Sequence, residues 1–181
     1  MTQNKIIGEK NIFAIEYCFY DDNHDTEISM YVEGANILAF ERNGKLLTTR
    51  WNIDELAIWL RNFIDEMAED PYPIDCEGSF AAQKDDIARE YNPDDDDLFD
   101  SYYQQLYNWG LKHRWHMSAS GAILADVYFQ LVGDAVEISW DNRDVESNVT
   151  FKYLLGGARI PKEYFKLIIE SFLTEYAVHW F

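Results

Sequence analysis

Residues 11–33 read NIFAIEYCFYDDNHDTEISMYVE, and the pattern of this stretch is the clearest indication of the fold class. Residues 11–20 and 26–33 alternate between apolar and polar side chains and are rich in residues that favour strands. The cluster of Asp and Asn between them favours a turn. The stretch therefore predicts two antiparallel strands joined by a short loop.

The chain continues with a second predicted hairpin and then changes its period. Asn43-Gly44 separates residues 37–42 from residues 45–51, and this dipeptide is typical of a two-residue hairpin turn. From Asn52, a predicted N-cap, apolar residues recur every three or four positions up to residue 67, which predicts an amphipathic helix. The first part of the chain is thus a set of strands followed by a helix.

The last third of the chain repeats that order. Residues 122–132 and 135–141 predict strands joined at Gly133-Asp134, and residues 148–155 predict a third strand that ends at a Gly-Gly pair. A final amphipathic helix is expected to begin at Pro161, because proline is favoured in the first turn of a helix.

Two features relate the halves to each other. Glu27-Ile28-Ser29 recurs as Glu137-Ile138-Ser139, and the apolar stripes of the two helices correspond at an offset of 109 residues. Self-similarity at a fixed offset is the signature of a repeat. We expect an α+β fold of antiparallel strands with helices in a single domain, 1–181. Its candidate pseudo-repeats are two βββα units at 11–70 and 121–181, with a helical insertion at 74–117 between them.

The predicted insertion contains two helices. Residues 79–91 predict a short helix capped by Ser79, and the run NPDDDD at 92–97 predicts the start of a longer one. The aromatic and aliphatic residues that follow, between 98 and 111, form an apolar arc too wide for one stripe. Either this helix is mostly buried, or one of its aromatic edges is exposed.

Composition limits the classes of function. Hydrophobic residues make up 48% of the chain, which predicts a packed core, and the formal charge of −18 disfavours binding to nucleic acid or anionic lipid. This charge suits a basic protein partner, although solubility alone also explains it. Cys18 and Cys76 are too few for a disulfide framework and predict reduced thiols. No signal peptide or membrane-spanning run is evident, so we expect no membrane association and a cytoplasmic location.

No pattern in the sequence predicts catalysis or a cofactor. The aspartates at 94–97 lack the glycine turn and closing glutamate of a calcium loop, and helix capping explains them better. His113 and His116 have the spacing of two residues on one helical face but lie at a predicted helix end. We therefore expect no metal site, no cofactor and no catalytic residues.

Residues 114–142, RWHMSASGAILADVYFQLVGDAVEISWDN, resemble a segment of uncharacterised bacterial proteins. The residues of that segment are structural: a turn, a strand pair and a tryptophan. In size, acidity and α+β character the whole chain is similar to bacterial immunity proteins that neutralise toxins. This resemblance in kind implies a toxin domain as the partner.

We therefore predict an acidic binding protein, most concretely an immunity protein that occludes a basic toxin. The alternatives are a DNA-mimic inhibitor, and a hydrolase with an unrecognised carboxylate or histidine site. The predicted partner-binding residues are Asp94, Asp95, Asp96, Asp97, Asp100, Tyr102 and Tyr103, with Asp21, Asp22 and Asp25 as a second candidate group.

Overall fold

The computed structural model of the chain describes residues 4–20, 25–66, 70–91, 96–115, 123–143 and 148–180. These residues form strands and helices that alternate in groups along the chain. The strands are β1 (Lys5–Glu9), β2 (Phe13–Phe19), β3 (Asp25–Val32), β4 (Ala35–Asn36), β5 (Phe40–Arg42), β6 (Lys45–Leu47), β7 (Thr49–Asn52), β8 (Arg114–Trp115), β9 (Val127–Val132), β10 (Ala135–Asp141), β11 (Thr150–Phe151) and β12 (Leu155–Pro161). The helices are α1 (Asp54–Glu66), α2 (Ala81–Arg89), α3 (Asp96–His113) and α4 (Lys162–Trp180).

The strands form two main antiparallel sheets and a small one. In the first sheet β3 is central, with β2 and then β1 on one side and β7 and β4 on the other. In the second sheet the order is β12-β10-β9-β8, and β10 lies between β9 and β12. The small sheet has the order β11-β5-β6. The predicted α+β class is therefore confirmed.

The core joins the two halves of the chain. Phe165 in α4 lies 5.1 Å, between ring centroids, from Phe13 in the first sheet and 5.9 Å from Phe129 in the second. Phe63 in α1 lies 5.7 Å from Phe129. One buried cluster contains residues of both sheets, α1 and α4. Each half therefore depends on the other for part of its apolar contacts.

Both predicted hairpin turns are present. Asn43 and Gly44 join β5 to β6 with φ angles of 52° and 71°, as a two-residue hairpin turn requires. Gly133, with φ of 64°, joins β9 to β10. At the start of α1, the backbone N–H of Asp54 donates to Asn52 Oδ1 at 2.9 Å, as expected for a polar residue at a helix N-terminus.

The structure corrects the prediction for the chain before α4. Gly156 and Gly157 do not break a strand but lie inside β12, and Pro161 is the last residue of that strand, since α4 begins at Lys162. A Cβ at Gly156 would approach the Trp140 ring to 2.3 Å, and one at Gly157 would approach the Phe80 ring to 2.6 Å. Besides breaking strands, glycine is common in strands where another group approaches closely, and here both glycines allow an aromatic ring to pack against β12.

Two further differences concern β1 and α2. Residues 5–9 form a strand that the sequence did not predict, because its only apolar pair is Ile6-Ile7. The predicted Ser79 cap of α2 is wrong, since Phe80 occupies the N-cap position without a side-chain hydrogen bond. Among the described residues, no helix is long and apolar enough to cross a membrane.

Candidate protein-binding surfaces

The helix α3 has a buried side and an exposed apolar row. Leu106 and Trp109 are buried with residues of α2 and with Tyr128 of the second sheet. The exposed row consists of Phe99, Tyr107 and Leu111, which are 38%, 63% and 54% exposed. Tyr107 follows Phe99 by eight residues, and Leu111 follows Tyr107 by four. Residues four apart lie on one helical face. The wide apolar arc is therefore divided between the core and the surface.

The predicted site residues Tyr102 and Tyr103 join α3 to the end of α2. Tyr102 donates its hydroxyl to the carbonyl of Ala88 at 2.9 Å, and Tyr103 donates to the carbonyls of Arg89 and Tyr91 at 3.2 and 2.9 Å. Both side chains are half-buried. Tyr103 also lies in the exposed row, where its ring centroid is 4.5 Å from that of Phe99. The two hydroxyls thus satisfy carbonyls at the C-terminal end of α2.

The predicted aspartates lie at different places. Asp96 and Asp97 are the first residues of α3, and Asp100 is exposed one turn later. Asp94 and Asp95 lie outside the described residues, as do Asp21 and Asp22. Asp25 begins β3 in the first sheet and forms an ion pair with Arg50 at 2.7 Å, whereas α3 packs on β8 and β9 of the second sheet.

A groove of about 640 Å³ lies on the face of the first sheet that points away from α4. Its floor contains Glu16, Glu27 and Ser29, which lie on one face because Glu16 is paired directly with Ser29 across β2 and β3. Its rim includes Leu46, Leu47 and Trp51, which are 57%, 43% and 39% exposed. We call this feature the Glu27 groove.

The charged side chains around the Glu27 groove are unequally paired. Glu16 accepts from Lys10 Nζ at 2.6 Å, and this hydrogen bond holds the pKa of the Glu16 carboxyl below its usual value. Arg50 Nε donates a hydrogen bond to Asp25 Oδ2, and this bond raises the pKa of the Arg50 guanidinium. Glu27 accepts a long hydrogen bond of 3.4 Å from the Tyr20 hydroxyl. Of the two glutamates in the groove, Glu27 therefore has the weaker described hydrogen bonds.

The corresponding face of the second sheet is covered by α2. Glu137 Oε1 accepts from the backbone N–H of Ala81 at 3.0 Å, and Ser139 Oγ accepts from the N–H of Ala82 at 3.1 Å. Glu137 Oε2 also accepts from Arg159 Nη2 at 3.1 Å. These two side chains cap α2 in the way that an N-cap residue normally does.

A cluster of titratable groups is buried beside that face. Asp85 accepts from the hydroxyls of Tyr72 and Tyr128 at 3.2 and 2.6 Å, and Asp126 forms a bidentate pair with Arg114. Burial raises the pKa of both tyrosines, and it raises the pKa of Asp126 although Arg114 opposes it. None of these groups lines the Glu27 groove or the cavity between α1 and α4. The cluster therefore stabilises the interface of α2 with the second sheet.

His113 is also part of the packing. It is fully buried, its ring stacks on Trp109 at 4.4 Å, and its Nδ1 lies 2.9 Å from the carbonyl oxygen of Phe129. Burial lowers the pKa of its imidazole, and the carbonyl opposes this shift only in part. The neutral ring is therefore favoured in the folded state. His116 lies outside the described residues.

Within the described ranges, no three His, Cys, Asp or Glu side chains lie together as a metal site requires. Cys18 and Cys76 are free thiols, as expected. The groove was not anticipated from the sequence, although the recurrence of Glu-Ile-Ser was the signal that marks its floor. No protein-family model, curated protein or solved structure matches this chain.

Proposed function

We propose that the protein binds a basic protein partner through α3, and most concretely that it is an immunity protein that occludes a bacterial toxin domain. The observation that supports this most directly is the exposed row of Phe99, Tyr107 and Leu111 behind an acidic helix start. Aromatic and aliphatic side chains anchor protein interfaces when they are desolvated. The acidic residues around them would attract a basic surface.

Charge along α3 fits this proposal. Asp100 is exposed on α3, which begins at Asp96, while the first basic side chain of the helix, Lys112, is paired with Asp70 at 2.8 Å. A formal charge of −18 on the whole chain extends the negative field. Complementary fields accelerate encounter and suppress wrong partners. An immunity protein needs both properties, because it must reach a toxin in the cytosol before the toxin reaches its target.

The experiment is coexpression with a basic toxin domain encoded beside the gene, followed by measurement of binding with purified proteins. Wild type should restore growth of cells that make the toxin. The double variant Tyr107→Ala/Leu111→Ala should weaken binding by at least about thirtyfold, since interface anchors each contribute more than about 1 kcal/mol. Leu167→Ala is the matched control, because Leu167 is an equally exposed leucine (58%) on α4.

Salt dependence tests the electrostatic part of the proposal. Raising the ionic strength from about 0.05 to 0.5 M should slow association at least tenfold and change dissociation little, because screening acts mainly on the encounter. Equal losses of affinity in the α3 variant and the Leu167→Ala control would contradict the assignment of the surface. An association rate independent of salt would contradict the basic partner.

A further inference from the structure

The two sheets carry the same three residues at equivalent positions. On β10, Glu137 and Ser139 point to one face, and Arg159 on β12 is paired directly with Glu137. On β3, Glu27 and Ser29 point to one face, and Arg50 on β7 is paired directly with Glu27. In both halves the strand with the arginine leads into a long helix, α4 or α1.

On the second sheet these residues bind the N-terminal end of a helix. Glu137 and Ser139 accept the first two backbone N–H groups of α2, whose own N-cap residue makes no side-chain bond. The N-terminus of a helix carries unpaired donors and a partial positive charge of about half a unit, so a carboxylate and a hydroxyl suit it. The structure itself thus shows what this pattern can recognise.

On the first sheet the same residues form the floor of the Glu27 groove. The groove volume of about 640 Å³ exceeds that of one helical turn, about 500 Å³ for a cylinder roughly 11 Å wide with a pitch of 5.4 Å. The exposed side chains of Leu46, Leu47 and Trp51 stand around it and would cover the sides of such a turn. Size, charge and apolar rim therefore agree with a helix end as the occupant.

The acceptors in the groove retain capacity for new donors. Arg50 pairs with Asp25 and lies over the Tyr20 ring at 3.8 Å, whereas Arg159 pairs with Glu137. The Ser29 hydroxyl accepts from Asn36 Nδ2 at 3.0 Å and donates to Thr48 at 3.2 Å, and a hydroxyl oxygen can accept a second hydrogen bond.

We propose that the Glu27 groove binds the exposed N-terminal turn of an α-helix of a partner protein. The first two N–H groups of that helix donate to Glu27 and Ser29, as those of α2 donate to Glu137 and Ser139. This inference concerns a surface other than α3 and does not require the partner to be a toxin.

One difference between the sheets sets the specificity of the groove. Phe80, the N-cap residue of α2, lies on Gly157, at the position that corresponds to Thr48 in the first half. Thr48 has a side chain where Gly157 has none, so an aromatic N-cap residue does not fit. The helix recognised by the groove therefore begins with a small residue.

The test uses the labelled full-length chain and two synthetic helices. The probe is an acetylated alanine-based helical peptide of about 18 residues that begins with Ala-Ala and carries lysines in its C-terminal half. Acetylation removes the terminal ammonium. The control peptide has proline at the first helical position, which removes one N–H and keeps the helix. In NMR spectra of the labelled chain, we expect the alanine peptide to shift the amide signals of residues 27–29 and 48–50. The proline peptide should bind at least fivefold more weakly.

Glu27→Gln should weaken binding of the alanine peptide about tenfold, because hydrogen bonds to a charged acceptor are stronger than those to a neutral one. Glu163→Gln, at an exposed position on α4, is the matched control and should have no effect. The pair of peptides also tests the wild type, so the proposal does not depend on a variant that folds poorly.

Several outcomes would overturn the proposal. These are equal binding of the two peptides, shifts confined to α3, no loss in Glu27→Gln, and equal binding of a lysine-rich peptide that does not form a helix. Self-association of the chain through the groove, unaffected by the peptide, would also overturn it. The variant Tyr107→Ala/Leu111→Ala should bind the peptide normally, so failure of this proposal is distinguishable from failure of the α3 surface.

Discussion

The outer faces of the two sheets carry Glu, Ser and Arg in the same register, but only one of them has a helix on it. Glu137 is 3% exposed and accepts from Ala81 and Arg159, whereas Glu27 is half-buried at the floor of an open groove. One pattern thus stabilises the fold in the second half and leaves acceptors available in the first. The two copies thus share their residues and differ in what covers them.

The largest difference should appear when each glutamate is truncated. Glu137→Ala leaves the buried N–H of Ala81 without its acceptor and should lower the free energy of unfolding by about 2–3 kcal/mol. Glu27→Ala removes one long hydrogen bond and should cost about 0.5 kcal/mol or less. Denaturant titration of both variants measures the difference. Equal costs would contradict the assignment of Glu137 as the cap of α2.

The next largest loss of stability should come from a change at the contact between Phe80 and Gly157. Gly157→Ala places a methyl group 2.6 Å from the Phe80 ring, and we expect a loss of about 2 kcal/mol because the packed helix has to shift. The double variant Phe80→Ala/Gly157→Ala should be less destabilised than the sum of the single variants. Thermal unfolding of the three proteins measures this coupling, and simple additivity would contradict the contact.

Acid should weaken the second sheet before the first. Burial lowers the pKa of His113, so its contribution to stability is present above the unfolded-state value of about 6.5 and is lost as the pH falls below it. At pH 6 the loss is at most about 0.8 kcal/mol, set by the unfolded-state pKa. Hydrogen exchange should show reduced protection of β9 relative to β2. His113→Leu should remove this pH dependence, and its persistence would assign it to another group.

The smallest effect should come from a helix glycine in the layer that covers the second sheet. Gly110 in α3 has open space around an added Cβ, so Gly110→Ala should stabilise the protein by about 0.5 kcal/mol. Gly133→Ala is the matched control, since it also meets no atoms but has a φ of 64° that alanine adopts poorly. A calorimetric comparison should give shifts of opposite sign.

The sequence predicted the features that arise from local pattern. The hairpins at Asn43-Gly44 and Gly133-Asp134, the strands β3 and β10, and the helices α1 and α3 follow from turn chemistry and periodicity. The Glu-Ile-Ser recurrence was visible too, and its two copies occupy equivalent positions in their sheets. Descent of the halves from a duplication stays a prediction.

The features that sequence reasoning missed depend on distant contacts. Gly156 and Gly157 read as strand breakers because the rings that need their missing side chains, Trp140 and Phe80, lie elsewhere in the chain. The cap of α2 comes from β10, more than fifty residues away, so no local signal at Ser79 could reveal it. Of the predicted site residues, Tyr102 and Tyr103 bond to α2, and the roles of the aspartates stay predictions.

The position of α4 has a consequence for how the chain is made. Phe165 and Phe172 lie against Phe13 and Tyr17, so the apolar side of the β2–β3 hairpin is covered by a helix that follows it by more than a hundred residues. During synthesis on the ribosome, β2 and β3 emerge long before α4 does. Nascent chains therefore expose this side of the hairpin until α4 has emerged, and we expect them to need a chaperone during that interval.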